Sequence, residues 1–173
     1  MTSKNEWTGA TIVLALIGQG AAIVWAVSGM VKDIEANTID VRARMEAVLA
    51  EGTDPVEGLR QSAPVLLEML LGEKAIALNR AAASDPTGQL GQALAAGGRE
   101  QVFPLLQQLF GAAIREGQLQ PPKAGEIGTL FMHLLVGDMQ VRRVIGTMPE
   151  PSAQTVARQA ACAMDQLEAL CTR

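Results

Sequence analysis

The sequence predicts an all-α protein, and three features lead to that prediction. It contains no run of alternating β-branched residues, tyrosine is absent, and Gly or Pro residues separate segments whose apolar residues have helical spacing. The chain has 173 residues, a length that suits one domain and is sufficient to bury a core. A long amino-terminal helix is expected to precede the helical bundle.

Composition excludes several classes of protein. The net charge of −4 argues against a free-standing nucleic-acid-binding protein, which normally carries a basic patch. Two cysteines and one histidine are too few for a structural zinc site within this chain. No nucleophile elbow, metal-ligand cluster or phosphate-binding loop accompanies that histidine. We therefore expect no enzyme activity, no catalytic residue, no metal and no cofactor.

The amino-terminal segment Trp7–Val31 is long and carries no charged residue. A helix needs about 20 such residues to cross a bilayer core, so the segment predicts a membrane-spanning helix. Lys32, Arg42 and Arg44 follow it, which favours the carboxyl side in the cytoplasm. The sequence therefore predicts a single-span protein of the cytoplasmic membrane, with residues 1–36 as span and start of a stalk and residues 37–173 as the domain.

Other interpretations of the apolar segment stay open. A buried core helix is one, and a cleaved signal peptide with a site at Ala26-Val27-Ser28 is another. A dinucleotide-binding loop around Gly18 and Gly20 is not supported, because Ile23 stands where the third glycine of the motif is required.

Apolar residues after this segment are spaced alternately by three and four positions. The spacing predicts either a short parallel coiled coil or an amphipathic helix that packs on its own domain. The residues are Val31, Ile34, Thr38, Val41, Met45 and Val48.

Breakers divide the rest of the chain into helices. Asp54-Pro55 and Ser152 are expected to begin helices, Gly97-Gly98 to break one, and Gly137 to lie inside one where another helix approaches closely. The predicted helices are Pro55–Leu71, Glu73–Ala83, Pro86–Ala96, Arg99–Glu116, Lys123–Ile145 and Ser152–Cys171.

Two sets of residues are candidates for binding. Methionine and phenylalanine suit a small apolar pocket, and a few polar side chains would orient its ligand; plain core packing is the alternative for the apolar ones. Arg80 in particular either reaches a ligand carboxylate or makes a structural salt bridge. The candidate ligand-binding residues are Met69, Asn79, Arg80, Phe103, Phe110, Met132, His133 and Met139.

The last two long helices carry apolar residues on more surface than one chain needs to bury, which predicts a dimer. The candidate interface residues are Leu130, Leu134, Gly137, Val141, Ala160, Met164 and Leu167.

From about Arg44 onward, the order of these signals resembles the carboxy-terminal regulatory domain of TetR-family repressors, in particular the AefR-like branch. The resemblance rests on Asp54-Pro55 with Leu59, Ala77-Leu78-Asn79-Arg80, Gln89–Ala96, Gly117, Phe131–Asp138 with Arg142-Arg143, Gly146, and Pro149 with Pro151-Ser152.

The resemblance implies a domain that dimerises through its last two helices as a four-helix bundle and encloses a small-molecule pocket. Residues 1–36 do not resemble the family's helix-turn-helix unit, so we expect no DNA binding by this chain itself. It would act as a membrane-tethered regulatory module, as a homodimer or as a heterodimer with a full-length TetR-like relative. The alternatives are a structural membrane-anchored dimer without ligand and a fusion remnant of a repressor.

Overall fold

The computed structural model describes residues 54–121 and 123–171, together with residues 29, 32, 36, 38, 39, 41–47, 49 and 50. These residues form helices, turns and loops and contain no strand, which confirms the all-α prediction for this part of the chain. The elements are α1 (helical residues 41–47, 49 and 50), α2 (Pro55–Leu71), α3 (Glu73–Ala83), α4 (Gln89–Leu94), a π-helical turn (Ala95–Arg99), α5 (Glu100–Arg115), a 3-10 turn (Ala124–Glu126), α6 (Ile127–Val136), α7 (Met139–Val144) and α8 (Ala153–Cys171).

Helix α2 begins where the sequence predicts. The Asp54 Oδ1 atom accepts hydrogen bonds from the backbone N–H groups of Val56 and Glu57, at 3.1 and 3.0 Å. The bond from Glu57, followed by one from the side chain of Gln118, holds the pKa of the Asp54 carboxyl below its ordinary value. Pro55 follows at the first helical position, where its missing N–H has no intrahelical partner to lose.

The core lies between α2, α5, α6 and α8. α2 contributes Leu59 and Leu67, both fully buried, and α8 contributes Met164 and Leu167 from the other side. Between α5 and α6, the rings of Phe110 and Phe131 meet edge to face with centroids 5.5 Å apart, a favourable aromatic geometry.

Helix α1 packs on its own domain. Thr38, Val41 and Met45 have the predicted spacing, and all three are buried. Of the two interpretations of the stalk, the structure therefore supports the amphipathic helix rather than the coiled coil at these positions. Val31, Ile34 and Val48 lie outside the described residues.

The membrane prediction needs correction. Apart from Gly29, the segment Trp7–Val31 lies outside the described residues. In the part of the chain that the structure does describe, no helix is both long and apolar enough to cross a membrane. Even α8, with 19 residues, carries Arg158 and Asp165 on its exposed side. The apolar side chains described here form a helical core, and the predicted cytoplasmic-membrane location is wrong.

Two glycine-containing segments differ from the prediction. Gly97-Gly98 does not end a helix, because the chain continues through the π-helical turn into α5. Gly137, by contrast, divides the predicted helix Lys123–Ile145 into α6 and α7. Its φ of 51° is in the region that favours glycine, and the nearest atom to a Cβ built there is the His133 carbonyl oxygen at 4.0 Å. Its backbone conformation, rather than close approach by another helix, explains this glycine.

Two arginines connect α7 to α2 and α3. The buried Arg143 donates to the carbonyl of Leu71 at 3.0 Å and to the carboxylate of Glu73 at 2.7 Å. Arg80 donates to the carbonyls of Arg143 and Val144, both at 2.7 Å. The bond from Arg143 also lowers the pKa of Glu73. The end of α7 is thus fixed by a side chain of α7 that donates to α2 and α3, and by a side chain of α3 that donates to α7.

We predict that Arg143→Met lowers the free energy of unfolding by about 1–3 kcal/mol, because the substitution removes two charge-assisted bonds, one of them to the carbonyl of Leu71 at the end of α2. Arg142→Met is the matched control, since Arg142 is exposed and lies 3.8 Å from Asp138; a change within about 0.5 kcal/mol is expected there. Urea denaturation measures both. Equal effects of the two substitutions would show that Arg143 does not hold α7.

Candidate functional site

A cavity of about 530 Å³ lies between α2, α3, α4, the π-helical turn, α5, α6 and α7. Most of its lining is apolar, which is typical of sites for small organic molecules. The lining residues are Thr38, Leu66, Met69, Leu70, Ala75, Leu78, Asn79, Gly91, Leu94, Ala95, Gly98, Arg99, Val102, Phe103, Leu106, Thr129, Met132, His133, Val136, Gly137 and Gln140.

Two sides of the cavity differ in how they are built. On one side, the side chains of Leu66, Val102 and Leu106 belong at the same time to the hydrophobic core, so this side is rigid. The opposite side is formed by α4 and the π-helical turn, which contain no buried residue. Few apolar contacts hold that wall in place, which makes it the side of lower local stability.

Polar side chains of the lining are spread over several elements. Asn79 donates to the carbonyl of Ala75 at 2.8 Å, and Gln140 donates to the carbonyl of Leu70 at 3.3 Å. The guanidinium carbon of Arg99 lies 5.6 Å from the centroid of the Phe103 ring. Among the described residues that line the cavity, none is an aspartate or a glutamate.

The structure brings together part of the predicted ligand-binding set. The residues of that set that line the cavity are Met69, Asn79, Phe103, Met132 and His133. The other three do not line it. Arg80 has a structural role, but it donates to two backbone carbonyls of α7 and does not form the salt bridge that the sequence suggested. Phe110 lies in the core against Phe131, and Met139 packs against the core at the start of α7.

Several lining residues were missed by sequence reasoning. Arg99 precedes Phe103 by four positions, the spacing that places two helical side chains together, so a cation beside an aromatic ring was detectable. Gln140 was not detectable, because its direction depends on the break at Gly137. Thr38 was assigned to the stalk and not to the cavity.

The predicted interface residues divide into three groups. Val141 and Gly137 are exposed, and Leu130 and Leu134 are half-buried. Ala160, Met164 and Leu167, however, are buried within this chain, where α8 packs on α2 and α6. These three do not form an exposed surface, because the apolar stripe of α8 is already covered by its own domain.

Comparison with known proteins identifies the family to which this domain belongs. Residues 57–169 match the family described as AefR-like transcriptional repressor, C-terminal domain. The match covers well over half of the chain, and the chain belongs to this family of TetR-type transcriptional regulators. The family consists of regulators and not of enzymes, in agreement with the sequence prediction.

Two solved structures have the same fold. A TetR transcriptional regulator from Agrobacterium tumefaciens is 26% identical with a TM-score of 0.59, over 76% of this chain and 70% of that one. A protein from Mesorhizobium loti assigned to the TetR family is 20% identical with a TM-score of 0.59, over 87% of this chain and 72% of that one, and shows the fold alone. A comparison with curated proteins gives no match.

One wall of the cavity depends on a close contact between α5 and α6. A Cβ atom at the buried Gly128 would lie 2.9 Å from the Cζ atom of Phe103. We predict that Gly128→Ala lowers the free energy of unfolding by about 1 kcal/mol, since overpacking outweighs the gain in helix propensity.

The control for this prediction is a double-mutant cycle with Phe103→Leu, measured by urea denaturation. In the leucine background, Gly128→Ala should be neutral or stabilising, because the colliding ring atom is gone. The same cost in both backgrounds would rule out the contact as its cause.

Proposed function

We propose that this chain is the ligand-sensing and dimerising domain of a TetR-type regulator, and that its cavity binds a small, largely apolar molecule. The observation that carries the proposal is the cavity itself, since its volume is within the range of about 300–1,000 Å³ usual for ligand pockets. Its lining combines an apolar majority with a few polar side chains, the pattern expected of a site that orients an apolar ligand.

The position of the cavity supports a sensing role. Thr38, from the segment that leads into α1, contributes to the lining, and so do Gly137 and Gln140 at the junction of α6 and α7. A bound molecule would therefore contact both the segment before α1 and the junction of α6 and α7. A ligand that prefers one arrangement of these elements would shift the equilibrium between arrangements by its differential affinity.

We predict that Gly98→Phe blocks binding of the neutral apolar fluorophore N-phenyl-1-naphthylamine. Gly98 lines the cavity, and no atom lies within 4 Å of a Cβ built there, so a ring at this position has room to occupy the site. Fluorescence titration should show a loss of affinity of at least about tenfold, the effect of about 1.4 kcal/mol in binding free energy.

Gly125→Phe provides the matched control. A Cβ at Gly125 also has no atom within 4 Å, but Gly125 is exposed and does not line the cavity. The control should bind the fluorophore as the wild type does and show the same ligand-dependent rise in Tm. Equal binding by both variants would place the fluorophore elsewhere and overturn the proposed site.

We also propose that a second copy of the chain covers the exposed apolar residues of α7. Val141 on α7 is 62% exposed, Ile145 directly after α7 is 65% exposed, and Leu130 and Leu134 on α6 are half-buried. Exposed apolar patches of this kind mark contact surfaces, and TetR-family domains typically form homodimers. A heterodimer with a full-length relative, and the absence of a DNA-binding unit from residues 1–36, stay predictions from the sequence.

We predict that Ile145→Asp weakens the dimer by at least about a hundredfold in Kd, because a charge would be buried at the interface. Ile39→Asp is the matched control, since Ile39 on the amino-terminal helical segment has the same 65% exposure. Sedimentation velocity over a range of concentrations measures both. A dimer that survives Ile145→Asp would mean that α7 is not at the interface.

A further inference from the structure

The cavity combines an apolar interior with one permanent positive charge. Arg99 contributes that charge from the end of the π-helical turn, where its side chain is exposed. Because the described lining residues include neither aspartate nor glutamate, no carboxylate of the lining neutralises it. This asymmetry of charge indicates which end of a ligand would be placed there.

The guanidinium of Arg99 is held in position by packing. It lies over the Phe103 ring, 5.6 Å from its centroid, and the close contact with Gly128 limits the movement of that ring. The guanidinium carries five N–H donors, so contact with one ring leaves donors available to an acceptor. Among the described residues, none forms an ion pair with Arg99.

The other arginines near the cavity are already engaged. Arg80 and Arg143 use their donors to hold α7 against α2 and α3. The sequence had suggested Arg80 as a partner for a ligand carboxylate. In the structure, Arg99 is the arginine that lines the cavity and has donors available for that role.

We propose that the ligand is an amphipathic anion. Its apolar body would lie in the cavity against Leu66, Leu70 and Leu106, and its anionic oxygen group, such as a carboxylate, would accept hydrogen bonds from Arg99. The guanidinium presents paired N–H donors whose spacing matches a carboxylate. This inference rests on the proposed function and adds the chemical class of the ligand to it.

The test uses three probes with the same chain and different head groups: decanoate, decanol and decylamine. Binding to the full chain is measured by displacement of N-phenyl-1-naphthylamine at low salt, below the concentration at which each probe aggregates. We expect decanoate to bind between about three- and tenfold more tightly than decanol, since the pair is partly screened by solvent. Decylamine should bind most weakly.

Variants then assign this preference to one side chain. Arg99→Met should abolish the preference for decanoate over decanol, whereas Arg99→Lys should retain much of it. Arg115→Met is the matched control, because Arg115 is the last residue of α5, the helix that follows Arg99, and does not line the cavity; it should behave as the wild type.

The outcomes separate this inference from the proposed function. If decanol binds as tightly as decanoate, or if the preference survives Arg99→Met, the anionic ligand is overturned while an apolar ligand site stands. If none of the three probes displaces a fluorophore that does bind, the inference alone fails. If the fluorophore does not bind and none of the three probes raises the Tm of the chain, the proposed function fails as well.

Discussion

The burial of α2 is the constraint on which the other elements depend. This helix contacts α3, α5, α6, α7 and α8, so it needs apolar or small side chains on more than one face. Leu59, Ala63 and Leu67 are fully buried, and the buried Ser62 hydroxyl has no hydrogen-bond partner in the described structure. The stripe of α8 that contacts it contains Ala160 and Ala163, and alanines allow two helix axes to approach closely. Small residues on α2 and on α8 thus allow the two helices to pack closely.

The backbone conformation of Gly137 determines which residues of α7 line the cavity and which are exposed. The positive φ at Gly137 ends α6 and changes the direction of the chain before α7. As a result, Gln140 reaches the cavity and the end of α2, whereas Val141 and Ile145 face outward. A continuous helix over residues 123–145 would have kept these side chains on the axis of α6. The glycine is therefore the local cause of both the cavity wall and the exposed patch.

The sequence predicts the bounds of the helices better than it predicts which elements pack against each helix. Capping and breaking residues give the bounds of α2, α3 and α8 almost residue for residue, because Asp54-Pro55, Gly72 and Ser152 act locally. The apolar period of α8 is also correct, but a period does not say what covers the stripe. Ala160, Met164 and Leu167 were therefore assigned to a partner chain, although α2 and α6 of the same chain cover them.

The same limit explains the errors at the amino terminus and in the cavity. A long apolar segment is compatible with a membrane or a protein interior, and counting uncharged residues does not distinguish them. For the cavity, residue type identified Met69, Asn79 and His133. The spacing of Arg99 and Phe103 places these two side chains together, but it does not show that they line a cavity. The direction of Gln140 depends on the α6–α7 break, which the sequence does not reveal.

Hydrogen bonds at helix ends explain how the cavity and the exposed patch are connected. The last carbonyls of a helix have no partner within it. At the end of α2, Gln140 and Arg143 of α7 donate to the carbonyls of Leu70 and Leu71. At the end of α6, the side chain of Gln159 on α8 donates to the carbonyls of Leu134 and Leu135, at 3.0 and 3.2 Å.

Helix α7 thus carries Gln140, which lines the cavity, and Val141, which belongs to the exposed patch. A molecule in the cavity that competes for the amide of Gln140 would release one of the donors that hold α7 to the end of α2. Arg80 and Arg143 would still hold its carboxyl end, so α7 would pivot there and not detach. Because Val141 is on this short helix and Ile145 directly follows it, a small rotation of α7 would change the surface that the chain presents to a second copy.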